Sequence, residues 1–172
     1  AAIHPAAQVR AIEDFVTPQN VARLLVDIDL IIDCVDQAQA KAAMAHHAGQ
    51  QRIDLIMCGG AGGRRDPSRI RHADLARAEG DALLASVRQR LRRDYGFAPR
   101  GSARLAPPFG ILAVYSDEPL LRPAAAAPDA PPGSPLACAG YGSAVTVTAT
   151  MGLAAAACAL ERIQARETAP PA

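Results

Sequence analysis

The chain has 172 residues, of which 50% are hydrophobic and 20% charged, with 18 basic against 17 acidic side chains and a formal net charge of +1. That length fits one domain with a real core, and the plentiful aliphatics exclude wholesale disorder. The near-neutral balance does not announce a nucleic-acid binder, and no charged-then-apolar leader opens the sequence, so no secretory signal is expected.

Residues 8–14 alternate apolar and polar side chains (Val9, Ala11, then Ile12), which suits a short strand. Thr17-Pro18-Gln19-Asn20 offers a helix start with Pro18 in the first turn, and residues 21–26 form the helix body. Residues 29–35 hold Leu30-Ile31-Ile32 between Asp29 and Asp33, a pattern for a buried parallel strand. Residues 38–48 are alanine-rich with Met44 among them and predict a helix. Residues 53–58 predict a second buried strand, which runs directly into Gly59-Gly60-Ala61-Gly62-Gly63. The order β-α-β-α-β points to a right-handed parallel sheet.

Residues 64–104 then carry 11 of the 18 basic side chains and only five acids. A short strand is expected over 70–75. An amphipathic helix is expected over 81–95, with Leu83, Leu84, Val87 and Leu91 on one face and Arg88, Arg92 and Arg93 on the other. Residues 110–115 suit a strand, 124–135 a flexible Ala/Pro loop, and 167–172 a frayed tail. The uncharged run 144–160 is read as a helix packed on the sheet rather than a membrane span. Its Ala, Thr and Gly residues supply little hydrophobic drive, so membrane association is not expected.

Several groups stand out as chemistry. Asp33-Cys34-Val35-Asp36 lies where a parallel strand ends, the place where ligands gather in such sheets. Its two carboxylates suit Mg²⁺; taken alone, Asp36 suits the N-cap of the next helix slightly better. Lys41, the one lysine among 18 basic residues, follows in that helix. The glycines of 59–63 fit either an anion cradle or a strained strand exit. Arg64, Arg65, Arg69 and Arg71 can meet nucleic-acid phosphates or form a solvated face. Cys138 precedes Gly140-Tyr141-Gly142-Ser143 at a possible helix start, where a thiol becomes nucleophilic; a small packing residue is the commoner role. The apolar settings of Cys34, Cys58 and Cys158 suit reduced, buried thiols, as in a cytoplasmic protein. No C-x-x-C pair supports a zinc site, and adjacent His46 and His47 diverge on a helix.

Taken together, Ile3-His4-Pro5, Asp14-Phe15-Val16-Thr17-Pro18, Asp33-Cys34-Val35-Asp36 with Lys41, Gly59-Gly60-Ala61-Gly62-Gly63 with Asp66-Pro67, Tyr115-Ser116, and Gly140-Tyr141-Gly142-Ser143 leading into Val145-Thr146-Val147-Thr148 form an ordered set. This set resembles the ubiquitin-activating-enzyme-like, ThiF-type adenylyltransferases, and among them the tRNA threonylcarbamoyladenosine dehydratases. The resemblance runs almost end to end. It implies a partial Rossmann-like parallel sheet flanked by helices with a mixed-sheet extension toward the C-terminus. Residues 1–63 would end the nucleotide-binding sheet, and 64–172 would form the tRNA-side and dimerisation portion.

The resemblance also implies a reaction. ATP with Mg²⁺ adenylates the threonylcarbamoyl carboxylate on a tRNA adenosine, and AMP leaves as the ring closes. By the same resemblance Asp36 is the catalytic Mg²⁺/ATP aspartate, Lys41 a basic position near the phosphates, and Asp33 a support of the strand exit beside the cofactor. Cys138 matches a family cysteine, although ring closure needs no enzyme thioester. Gln37 stands where relatives often have Asn or Ser. The family's glycine-rich nucleotide loop is expected upstream of Ile3, so the chain alone is expected to bind ATP poorly. A homodimer, a tRNA partner and a cysteine desulfurase or sulphur-acceptor system are the implied partners. The alternatives are an adenylyltransferase for a ubiquitin-like sulphur carrier, which the absence of paired C-x-x-C motifs disfavours, and a non-catalytic remnant that dimerises or binds tRNA.

Overall fold

Four short apolar runs form one sheet: β1 (Leu30–Asp33), β2 (Asp54–Cys58), β3 (Ile70–Asp74) and β4 (Leu112–Ser116), in the spatial order β1-β2-β4-β3. The structure, a computed structural model, describes residues 4–99, 107–120 and 142–168. β1, β2 and β4 run parallel, and β3 closes one edge antiparallel to β4. The sheet is therefore mixed and flanked by helices, as the resemblance implies. It also joins strands from both sides of the 63/64 division.

Side-chain alternation splits the core into two layers. Leu55 and Met57 of β2, with Ala113 and Tyr115 of β4, face α2 (Ala38–Gln51) and α3 (Ala82–Asp94). Ile56 and Cys58, with Val114, face α4 (Val145–Thr168). Both faces of the central strands are covered, which is why those strands read as continuous apolar runs rather than as alternating ones.

The helices follow their sequence signals. α2 is an alanine helix whose small side chains let it lie close to the sheet; Ala40, Ala42, Ala43, Met44, Ala45 and Ala48 are all buried. It stops at Arg52, which turns into the left-handed region (φ 56°) and donates its N–H to the Ala48 carbonyl. α3 buries Leu84, Val87 and Leu91 and starts at Asp81, whose carboxylate accepts the Leu84 N–H at 2.8 Å. α4 turns Val147, Met151, Ala155, Cys158 and Ala159 to the sheet. Its far end is held by Arg166, whose Nε lies 2.9 Å from an Asp54 carboxylate oxygen at the start of β2. Among the described residues no helix is long and apolar enough to cross a membrane.

Three expectations change. Residues 8–14 form no strand; they are exposed, and no neighbouring strand among the described residues pairs with them. The helix expected over 21–26 is a single turn, α1 (Val21–Leu24), because Asp27 takes a positive φ of 55° two residues beyond its C-cap. α4 extends to Thr168, so the first two residues of the expected tail, 167–168, are its last helical ones. The loop expected over 124–135 lies outside the described residues, as do residues 169–172.

Candidate active site at the strand ends

The carboxyl ends of β1 and β2 open into a cavity of about 280 Å³. One wall is Cys34, Val35 and Asp36; the floor is Cys58 and the glycine loop; the opposite wall is Arg64 with Asp81 and Leu83 at the start of α3. Thr148, Met151 and Gly152 of α4 roof it. This is the position where parallel sheets hold ligands, because the helix N-termini and the strand-exit loops converge there.

Asp36 is half-buried in this wall. The cap role that suits it in isolation is not formed: the N-cap of α2 is Gln37, with no side-chain hydrogen bond to the helix. Among the described residues no hydrogen bond or ion pair engages the Asp36 carboxylate. It is left on the cavity beside the uncapped start of a 14-residue helix, whose dipole favours anions nearby.

Asp33 and Lys41 lie behind that wall and do not line the cavity. Both side chains are fully buried. The Lys41 ammonium sits 3.0 Å from Asp33 Oδ2 and donates to the carbonyls of Asp33 (3.3 Å) and Cys58 (2.8 Å). A single cation thus staples the ends of β1 and β2 together. Asp33 Oδ1 accepts the Val35 N–H at 2.9 Å and shapes the turn toward Asp36. Burial raises the Asp33 carboxyl above its ordinary range, and the Lys41 charge and the Val35 N–H only partly offset this. The structure therefore gives Lys41 a joint between strands where the resemblance gives it a place near phosphates. The reason is that its side chain is fully buried and its ammonium is held by Asp33 and the Cys58 carbonyl.

The glycine loop is a packed turn, not an open cradle. Gly59 donates to the Val114 carbonyl (2.8 Å), Gly60 to Asp81 Oδ2 (2.8 Å), and Gly63, with φ 72°, to the Gly142 carbonyl (3.0 Å). The anion held by Gly60 is thus the protein's own carboxylate. A Cβ at Gly59 would come within 2.4 Å of Asp81 Oδ2, so only glycine fits there.

Arg64 is corrected from a phosphate contact to a buried joint. It donates to the carbonyls of Ser116 and Gly80 and lies 3.5 Å from Asp81 Oδ2, with the two side chains 2% and 1% exposed. Arg65 is exposed. Arg69 and Arg71 converge on Asp117 at 2.8 and 3.2 Å, which cancels part of their charge. The hydrogen bond from Arg69 holds the Asp117 carboxyl below its usual range. Next to it, Glu118 accepts the N–H groups of Asp66 (3.0 Å) and Arg65 (2.9 Å), which lower its carboxyl as well.

Cys34 is exposed rather than buried as expected; Cys58 and Cys158 are buried. The Cys34 and Cys58 sulfurs lie 3.9 Å apart. Burial, then the Cys34 sulfur, push the Cys58 thiol up to about 12. His46 and His47 diverge as expected: His47 meets the Leu25 carbonyl, and His46 lies against the Tyr95 ring. Cys138 lies outside the described residues.

Sequence reading missed Asp81 and Glu118 as site builders. Asp81 had a visible signal as a cap before an apolar helix. Glu118 had none, since its partners are more than fifty positions away.

The tRNA threonylcarbamoyladenosine dehydratase of Escherichia coli K12 is 37% identical over 172 residues, covering 95% of this chain and 63% of that protein. The Haemophilus influenzae protein of the same name is 34% identical over 162 residues, covering 94% of this chain and 60% of that one. The crystal structure of the E. coli enzyme TcdA in complex with ATP matches with a TM-score of 0.80 at 34% identity, over 96% of this chain and 60% of that chain. Its complex with AMP matches with a TM-score of 0.80 at 35% identity, over 96% and 61%. The chain thus spans about three fifths of the length of the relatives it matches. With the ThiF family matching residues 1–171, the chain belongs to that family.

Proposed function

We propose that this chain is the strand-end portion of an ATP-dependent enzyme that dehydrates the threonylcarbamoyl group on a tRNA adenosine. The observation that carries the reading is Asp36: an unengaged carboxylate on a cavity at the ends of parallel strands, in a chain that aligns with relatives solved with ATP and AMP. A free carboxylate is a poor electrophile. Transfer of AMP to it makes it attackable, and charge builds on the α-phosphate during that transfer. Of the two carboxylates on the cavity among the described residues, Asp81 is engaged by backbone N–H groups and Asp36 is free, and one free carboxylate suits Mg²⁺, which keeps most of its ligands from water and phosphate oxygens. Asp36 would hold that ion, and the open N-terminus of α2 would face the phosphates. Lys41 and Asp33 serve by fixing the two strand ends that place Asp36.

Arg65, Arg69 and Arg71 are the basic side chains we assign to the tRNA backbone; Arg64 is excluded by its burial. Val145, Leu153, Leu160 and Ile163 are exposed on the outer face of α4, and there we place a second copy of the chain. The reaction belongs in the cytoplasm, where tRNA is modified.

The test is turnover of threonylcarbamoyl-tRNA with ATP by the full product of this reading frame. Asp36→Asn is expected to lower AMP release by about 100-fold or more while tRNA binding persists. Near-normal AMP release from that variant would remove Asp36 from the mechanism.

A further inference from the structure

Cys34 and Cys58 are not used by the chemistry proposed above, yet the fold sets them against each other. β1 and β2 pair in parallel with a constant offset, Leu30 opposite Asp54 through Asp33 opposite Met57. The next pair in that register is Cys34 and Cys58. Neighbouring strands lie about 4.8 Å apart, within the roughly 4.4–6.8 Å between α-carbons that a disulfide spans. Alternation sends both side chains to the α4 side of the sheet, and their sulfurs are 3.9 Å apart. The backbone on both sides is pinned by one group: Lys41 donates to the carbonyls of Asp33 and Cys58. With the sulfurs already 3.9 Å apart, reaching bonding distance calls for a movement of about 2 Å.

Access is asymmetric. Both cysteines line the cavity, Cys34 exposed beside Asp36 and Cys58 buried in its floor at 8% exposure. A reagent from solvent meets Cys34 first.

We propose that Cys34 and Cys58 are an oxidative modification site, a dithiol that a hydroperoxide converts to an intramolecular disulfide in the cavity wall. In the first step the Cys34 sulfur attacks the peroxide. The O–O bond breaks, Cys34 becomes a sulfenic acid, and the other oxygen leaves as an alcohol or water carrying the thiol proton. In the second step the Cys58 sulfur attacks the Cys34 sulfur. The S–S bond forms, the S–O bond breaks, and the hydroxyl leaves as water with the Cys58 proton. The two thiols are oxidised and one peroxide is reduced. The site is independent of the adenylation reading, because its parts are two strands and one lysine.

The experiment treats the full product of the reading frame with a small excess of hydrogen peroxide, blocks remaining thiols with maleimide, and maps peptides without reduction. The expected product is the Cys34 peptide joined to the Cys58 peptide, two hydrogens lighter than the separate pair, with Cys34 labelling restored by dithiothreitol. Cys34→Ser abolishes the linkage. Cys58→Ala leaves Cys34 as a sulfenic acid that dimedone captures. If that buried variant does not fold, wild-type protein still decides the matter. Cys34 oxidised while Cys58 stays free, or Cys34 linked to a different cysteine, overturns the proposal, as does a Cys34 that remains fully labelled.

Discussion

Lys41–Asp33 on one side of the cavity and Arg64–Asp81 on the other are both sealed from water, with paired side-chain exposures of 0% and 0% and of 2% and 1%. Their surroundings differ. Asp81 has both oxygens engaged by backbone donors, Leu84 N–H and Gly60 N–H, and Arg64 reaches two carbonyls on different loops. Ser116 is the last residue of β4 and Gly80 precedes α3, so the pair is a joint between the glycine loop, the start of α3 and the end of β4. Asp33 Oδ2 meets only the Lys41 ammonium, at 3.0 Å, with no backbone donor among the described residues; across the cavity it is Arg64 Nε that lacks a partner. That pair joins α2 to the ends of β1 and β2, and its carboxylate can escape by taking a proton. A buried charge is tolerated when fixed dipoles surround it, and becomes titratable when they do not.

The largest effect is expected on the Arg64 side. Asp81→Ala removes the α3 cap and the Gly60 acceptor and strands a buried guanidinium, so it should cost about 3–5 kcal/mol in a denaturant titration. A cost under about 1 kcal/mol would show that water reaches Arg64 and that the joint is not sealed.

Lys41→Met should cost less, about 2–3 kcal/mol at neutral pH, because Asp33 can protonate. The sign follows from its raised carboxyl. A carboxyl raised by folding favours the native state when protonated, and that benefit is lost as pH rises through the raised value. The deficit of Lys41→Met should therefore shrink in mild acid and reach its full size above that range. A deficit independent of pH would mean that Asp33 keeps its charge without Lys41.

The smallest effect belongs to the rim of β3 and β4, where Asp117 is part-exposed and Glu118 is buried. Asp117 and Glu118 are held below the ordinary carboxylate range by Arg69 and by the N–H groups of Asp66 and Arg65. Their contribution is present above that range and lost as pH falls through it, the opposite sign to Asp33. Protection against amide exchange at β3, corrected for the intrinsic rate at each pH, should fall in acid, and Asp117→Asn should flatten that response. Solvent screens the part-exposed Asp117 pair, so Asp117→Asn should change global stability little.

Much of this was legible in the chain itself. The apolar runs at 30–33 and 54–58, the alanine helix and the Asp81-capped helix are local patterns, and each formed where its period placed it. Asp36 at a strand end was equally legible, because parallel strands and their exits follow from the order of elements. Residues 8–14 misled because alternation marks a strand only when a neighbour pairs with it. Arg64 misled because it sits in a run of arginines, and nothing local separates a buried guanidinium from a solvated one.

The sequence by itself determined the order of strands and helices from residue 21 onward, the family, and the loop on which the candidate carboxylate stands, since side-chain period and helix capping are decided by near neighbours. Tertiary structure alone decided which charges are enclosed and which sulfurs meet. The Arg64 guanidinium finds its carbonyl 52 residues away, and Cys34 finds Cys58 at a distance of 24, separations over which only the packed sheet sets who is adjacent. The near-zero net charge holds for both the buried pairs and the rim of β3 and β4, and only the fold tells them apart.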